Sequence, residues 1–201
     1  MRMRMMAGCL VLGVCSLAVA QMGMGSAASG PAAGTVVAPA KTIDSQLSLI
    51  EFEMMGAVKA MPAEKFAFAP SAAIFVPAQT TKFEGVRTFA QQATHVAEAN
   101  YLFYATVSGL QPDVDVSTVG KLTAKEDVVR ALAGSFAYAH RAIATITVAN
   151  AFEVVKSQEP GIQTRATLAQ FGISHANDHY GQMVEYLRMN GIVPPASAPQ
   201  K

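Results

Sequence analysis

Tryptophan is absent from this 201-residue chain, cysteine occurs twice, histidine four times, and charged residues make up only 14%. Both cysteines, Cys9 and Cys15, sit in an N-terminal stretch with the marks of a removable signal. Once that stretch is gone, no thiol remains for a disulfide, a nucleophile or a metal-binding thiolate. No block of Lys or Arg occurs, which argues against nucleic acid as a partner. Glycine-rich phosphate loops, paired-carboxylate motifs and Ser-His-Asp arrangements are all missing, and no internal repeat is evident. The single long apolar run, Met6 to Ala20, is too short and too rich in small residues to favour a membrane span.

The N-terminal run reads instead as an export signal. Arg2 and Arg4 give a basic start, an apolar stretch follows, and Ala18-Val19-Ala20 supplies an A-x-A cleavage pattern, so residues 1–20 are expected to be removed. Removing Arg2 and Arg4 from the 15 basic residues leaves 13 against 14 acidic ones, turning the formal charge from +1 to −1. Residues 21–41, rich in Gly, Ala, Ser and Pro, read as a flexible leader. The folded domain is expected over 42–197, and a periplasmic or secreted location follows.

Apolar periodicity in that domain predicts four helices and no competing strand pattern beyond a short extended piece near Ile74-Phe75-Val76. The first follows Thr42, with a stripe of Ile43, Leu47, Ile50, Met54, Ala57 and Met61, and ends at Pro62. A long connector to Arg87 carries Phe66, Phe68, Phe75 and Phe83, enough aromatic surface to pack on the domain. The second helix opens on a Thr88/Gln91 capping box and stops at Gly109. The third opens on a Thr123/Glu126 box and runs through Ile146, stopping before Pro160. The fourth spans about Thr164 to Asn190, with Gly191 as its stop. Four amphipathic helices of this length predict an all-α four-helix bundle with a long crossover between the first two.

The chemistry-bearing feature is His175 and His179, one helical turn apart. On a helix, i and i+4 share a face with Cβ atoms about 5–6 Å apart, close enough for two imidazoles to reach one divalent ion. The competing reading is a chance pair on a helix surface. Their register with Leu168, Phe171, Gln182, Tyr186 and Met189 places them on the inward line, where imidazoles need a partner or a metal. Ala176 stands where a zinc metalloprotease helix would carry Glu, so that reading fails. His95, beside the stripe of the second helix, is by itself either a ligand or a packed residue. His140 reads as structural or exposed, Glu98 as a fourth ligand, a general base or, the favoured reading, a solvated face residue, and Asp178 and Asn177 as neighbours with an open outer-shell role. The tyrosines read as packing.

Three segments, MPAEKFAFAP at 61–70, RTFAQQATHVAEAN at 87–100 and HANDHYGQMVEYLR at 175–188, together with NGIVPP at 190–195, resemble the DinB/YfiT-like family. The resemblance spans roughly Thr42 to Ser197. It implies a four-helix bundle with an early crossover, and one divalent metal, commonly zinc or nickel, held by three histidines falling on His95, His175 and His179. It further implies a thiol-dependent transferase acting on a small molecule, with no catalytic residue assigned, and by analogy a homodimer; a metal-dependent hydrolase is the other expectation. Export departs from the family's thiol chemistry, because low-molecular-weight thiols are mainly cytoplasmic; metal-activated water would suit an exported protein better. The alternative is a non-catalytic bundle in which the metal only ties two helices together.

Overall fold

The structure is a computed structural model that describes residues 30–77 and 80–199. The expected signal at 1–20, and the leader up to residue 29, lie outside the described residues. The chain divides into two units, Met1–Val36 and Val37–Lys201. Of the first, residues 30–36 are described and hold one turn, with Thr35 N–H donating to the Ala32 carbonyl at 3.0 Å. The second unit is helical: α1 Pro39–Ala60, α2 Phe89–Ser108, a short α3 Val116–Val119, α4 Lys125–Ile143 and α5 Arg165–Met189. Among the described residues there is no strand, only an isolated bridge between Val154 and Thr164. No helix among them is long and apolar enough to cross a membrane.

The ends of these helices follow local chemistry, with three departures from expectation. α1 begins at Pro39, three residues before Thr42, because proline at the first helical position lacks only an N–H that would be unpaired there anyway. It stops at Ala60, where Met61 turns extended before Pro62. Its last carbonyls are capped from another helix: Lys125 Nζ donates to the Lys59 and Met61 carbonyls at 2.8 and 2.7 Å. The Thr88/Gln91 box on α2 forms in full, at 3.2 and 2.9 Å, and Gly109 takes the left-handed conformation (φ 77°) that ends the helix.

The Thr123/Glu126 box does not form. The N-cap of α4 falls one residue later, on Ala124, without a side-chain hydrogen bond, and Glu126 and Asp127 lend only charge to the first turn. α4 also ends earlier than the apolar period implied. After Ile143, Asn150 accepts from Thr147 N–H at 2.7 Å and donates to the Thr145 carbonyl at 3.0 Å, giving the backbone a turn in place of further helix. The β-branched run Thr145 to Val148 favours that outcome. The Phe-rich connector packs as expected, but Ile74 lies in a 3-10 turn, Ala72–Ile74, and not in an extended piece. Phe66 is buried edge-on to Phe89 at 5.4 Å, and the Phe66 and Phe68 carbonyls accept from Ala90 and Phe89 N–H, satisfying the free amides at the start of α2.

The long helices pack in a cycle, α1 on α4, α4 on α2, α2 on α5 and α5 on α1. Leu47, Met54, Phe89, Val96, Leu132, Phe136, Leu168 and Met183 fill the space between them. Two polar contacts set the register of α2. Asn100 donates to Ser135 Oγ on α4 at 3.1 Å. Tyr104 donates to the Ala169 carbonyl on α5 at 3.2 Å, a close approach that Gly172 permits: a Cβ there would stand 2.9 Å from the Tyr104 hydroxyl. That contact fixes α2 against α5 along the seam where the histidines lie.

Candidate metal centre

His95 lies on α2, and His175 and His179 one turn apart on α5. The three come together. Each offers a ring nitrogen within 4.8 Å of the others, and the ring centroids are 4.6 to 5.0 Å apart. Nε2 of His95 and Nε2 of His175 are 3.2 Å apart. Tetrahedral bonding at zinc–nitrogen distances of about 2.0–2.1 Å would set two ligand nitrogens about 3.4 Å apart, so this pair already has that spacing. The line they share on α5 is the edge of the buried face and not its centre. His179 is 5% exposed and His175 half-buried, Met189 is exposed, and the helix's deepest side chains are Leu168, Ile173, Ala176, Met183 and Leu187.

All three imidazoles are held neutral. Burial is the largest cause for each, and each is lowered from the usual value to about 4. For His95 the charges of Arg87 and His175 add to it; for His175 and His179, a neighbouring imidazole and Arg87 outweigh the opposing pull of Asp178. Neutral rings present lone pairs, the form a metal needs.

One ring's tautomer is set by its surroundings. His179 Nδ1–H donates to Gln92 Oε1 at 2.6 Å, which leaves Nε2 as the free lone pair. Gln92 is 1% exposed; its Nε2 donates to Gln182 Oε1 at 2.8 Å, and Gln182 Nε2 donates to Asp178 Oδ2 at 3.1 Å. A relay of amides thus runs from the inner imidazole to a surface carboxylate. His175 Nδ1, by contrast, is buried with no partner among the described residues. The donor set therefore fits a divalent metal: three neutral imidazoles with converging nitrogens, one of them oriented by a second group.

A profile described as the DinB superfamily matches residues 46–183. This chain belongs to the DinB superfamily. A solved DinB-like protein from Bacillus cereus ATCC 10987 is similar in fold, with a TM-score of 0.62 at 13% identity, covering 77% of this chain and 95% of that one. No curated protein matches.

In this DinB-superfamily chain two cavities flank His95. One, of about 480 Å³, is lined by Arg87, Gln91, Thr94, His95, Glu98 and Gly120 among others. The second, of about 650 Å³, shares His95 and Glu98 and adds His175 with an apolar wall of Ala99, Leu102, Phe103 and Phe171. Glu98 is thus part of the site's surroundings and not a solvated face residue. Its Oε1 accepts from Gly120 N–H at 3.1 Å, and a Cβ on residue 120 would sit 2.5 Å from that oxygen.

His140 lies outside the site. It bridges α4 to α1, with Nδ1 2.5 Å from Asp44 Oδ1 and Nε2 2.9 Å from Glu51 Oε2. Both nitrogens face carboxylates, so the ring is held as an imidazolium. Burial opposes that charge, but the two hydrogen bonds and two negative charges prevail and raise its pKa. Sequence reasoning missed Gln92 and Arg87. The only signal for Gln92 was an amide beside the apolar stripe of Phe89, Ala93 and Val96, one turn from His95.

Proposed function

We propose that this protein is an exported, metal-dependent enzyme in which His95, His175 and His179 hold one divalent ion, zinc or nickel. The carrying observation is the convergence of three neutral imidazole nitrogens, with His179 Nδ1 engaged by Gln92 so that its other nitrogen is free. When bound, the ion would supply a Lewis acid that lowers the pKa of a water or thiol in an open position. The chain's own groups do the rest. Gln92 orients His179. Glu98, with Oε1 held by Gly120 N–H and Oε2 without a hydrogen-bond partner among the described residues, is placed to take a proton at Oε2 from a nucleophile in either cavity. The cavities hold a small molecule beside His95. Because export separates the protein from cytoplasmic thiols, hydrolysis is favoured over thiol transfer.

The same reading takes residues 1–20 as a cleaved signal, 21 to about 38 as the leader, and the remainder as one four-helix bundle with residues 61–88 as its crossover. Leu49 and Phe52 on α1, 54% and 73% exposed, offer a face for a second copy. The second reading, a metal that only ties α2 to α5, is favoured by the depth of His179 between those helices. Turnover separates the two. Metal-loaded protein is assayed on panels of ester, amide and phosphoester substrates, with and without a thiol. Metal-dependent turnover that falls in Glu98→Gln at unchanged metal content supports the enzyme. A tie is indicated by zinc-dependent melting with no turnover on any panel.

A further inference from the structure

The two cavities that meet at His95 differ in chemistry. On one side stands Arg87, at the entry to α2, whose guanidinium makes no hydrogen bond or ion pair with any described residue. Its carbonyl accepts from the Tyr186 hydroxyl at 3.0 Å, which anchors the base of the side chain at the cavity. On the other side Phe103 and Phe171 meet edge to face at 5.3 Å, and Phe103 meets His175 edge to face at 5.5 Å. Leu102, 61% exposed, extends this apolar wall to the surface. Glu98 borders both cavities and repels an anion from the wall they share. A molecule that satisfies every part has an anionic group at Arg87, an apolar body against Leu102, Phe103 and Phe171, and its middle beside His95. Both volumes lie in the range of small-molecule sites.

We propose that the substrate class is an amphiphilic carboxylate, an acyl or aryl chain ending in one negative group, with the carboxylate on Arg87 and the chain along Phe103 and Phe171. This rests on the proposed use of the three histidines as the reacting centre, but the binding itself needs only Arg87 and the apolar wall.

The test is calorimetric titration of the full protein, zinc-loaded and metal-free, with straight-chain carboxylates from butyrate to decanoate and with the matching alkanols. Affinity for carboxylates should rise about fourfold per methylene, the free energy of burying one such group. Arg87→Gln should weaken carboxylates about tenfold, as loss of a charged hydrogen bond does, with alkanol binding unchanged. Leu102→Ala, an exposed substitution that leaves the core intact, should flatten the chain-length dependence, and Phe171→Ala should flatten it further. Affinity independent of chain length, or equal carboxylate binding in wild type and Arg87→Gln, overturns the proposal. Chain-length and Arg87 dependence in a protein that binds no metal would uphold this proposal while refuting the metal centre. Zinc binding without either dependence would refute this proposal alone.

Discussion

Replacing Gln92 by Leu isolates the outer support of the histidine cluster. The side chains are similar in size, so the substitution opens little space; what changes is polar. His179 Nδ1–H loses its acceptor at 2.6 Å and, on a residue 5% exposed, has no ready access to water. Gln182 Oε1 loses the Gln92 amide at 2.8 Å, but Gln182 is half-buried and can turn to solvent. One stranded buried donor costs about 1–3 kcal/mol. Leucine recovers part of this by transfer out of water, leaving a net loss of about 1–2 kcal/mol. For a domain of this size that is a fall of about 2–8 °C in Tm. The metal should be affected more than the fold, because an imidazole freed of its acceptor can rotate or change tautomer; such outer partners contribute about 10–100-fold in affinity. Zinc affinity measured by competition with a chromophoric chelator, beside melting of the metal-free protein, separates the two effects. A folded Gln92→Leu protein that binds zinc within about twofold of wild type would refute the role given to Gln92.

Three further outcomes follow from the packing and the charges. His140 has a raised pKa, so its links to Asp44 and Glu51 stabilise fully below about pH 6.5 and are lost as pH rises through the folded value; because the groups are partly exposed, this is about 0.2–1 kcal/mol. Urea unfolding across pH 5.5–9 should show that decline in wild type and a flatter profile in His140→Gln. Gly172→Ala should destabilise by about 1–3 kcal/mol through overlap with Tyr104, recovered in part in Tyr104→Phe, where the hydroxyl at 2.9 Å is gone; denaturant midpoints of the three proteins check this. Asn100→Ala should leave Ser135 Oγ without its donor in the core and cost about 1–3 kcal/mol, read by the same midpoints.

Features encoded within a few residues were readable in the sequence. The Thr88/Gln91 box, the Gly109 and Gly191 stops and the stripe on α1 depend on local spacing, and each is where that spacing puts it. The histidine pair was readable for the same reason, since four residues make one turn; His95 needed the family resemblance, because nothing local says which helix faces α5. The errors arose where local signals compete or tertiary contacts decide. Thr123 and Glu126 have box spacing, but the N-cap of α4 is Ala124. The apolar period continued past Ile143, yet Asn150 turned the chain. The partners of His140 lie on α1, about ninety residues away, and Gln92 has its role only because α2 and α5 meet at that height.

The most direct trial of the histidine cluster as a metal centre is equilibrium zinc binding to metal-free wild type and to His95→Ala, His175→Ala, His179→Ala and His140→Ala, each shown to be folded. One equivalent should bind wild type and His140→Ala alike, with affinity lower by at least about 100-fold in each of the other three. Absence of any bindable zinc, nickel, manganese or iron in wild type, or wild-type affinity in folded His95→Ala, would contradict the assignment.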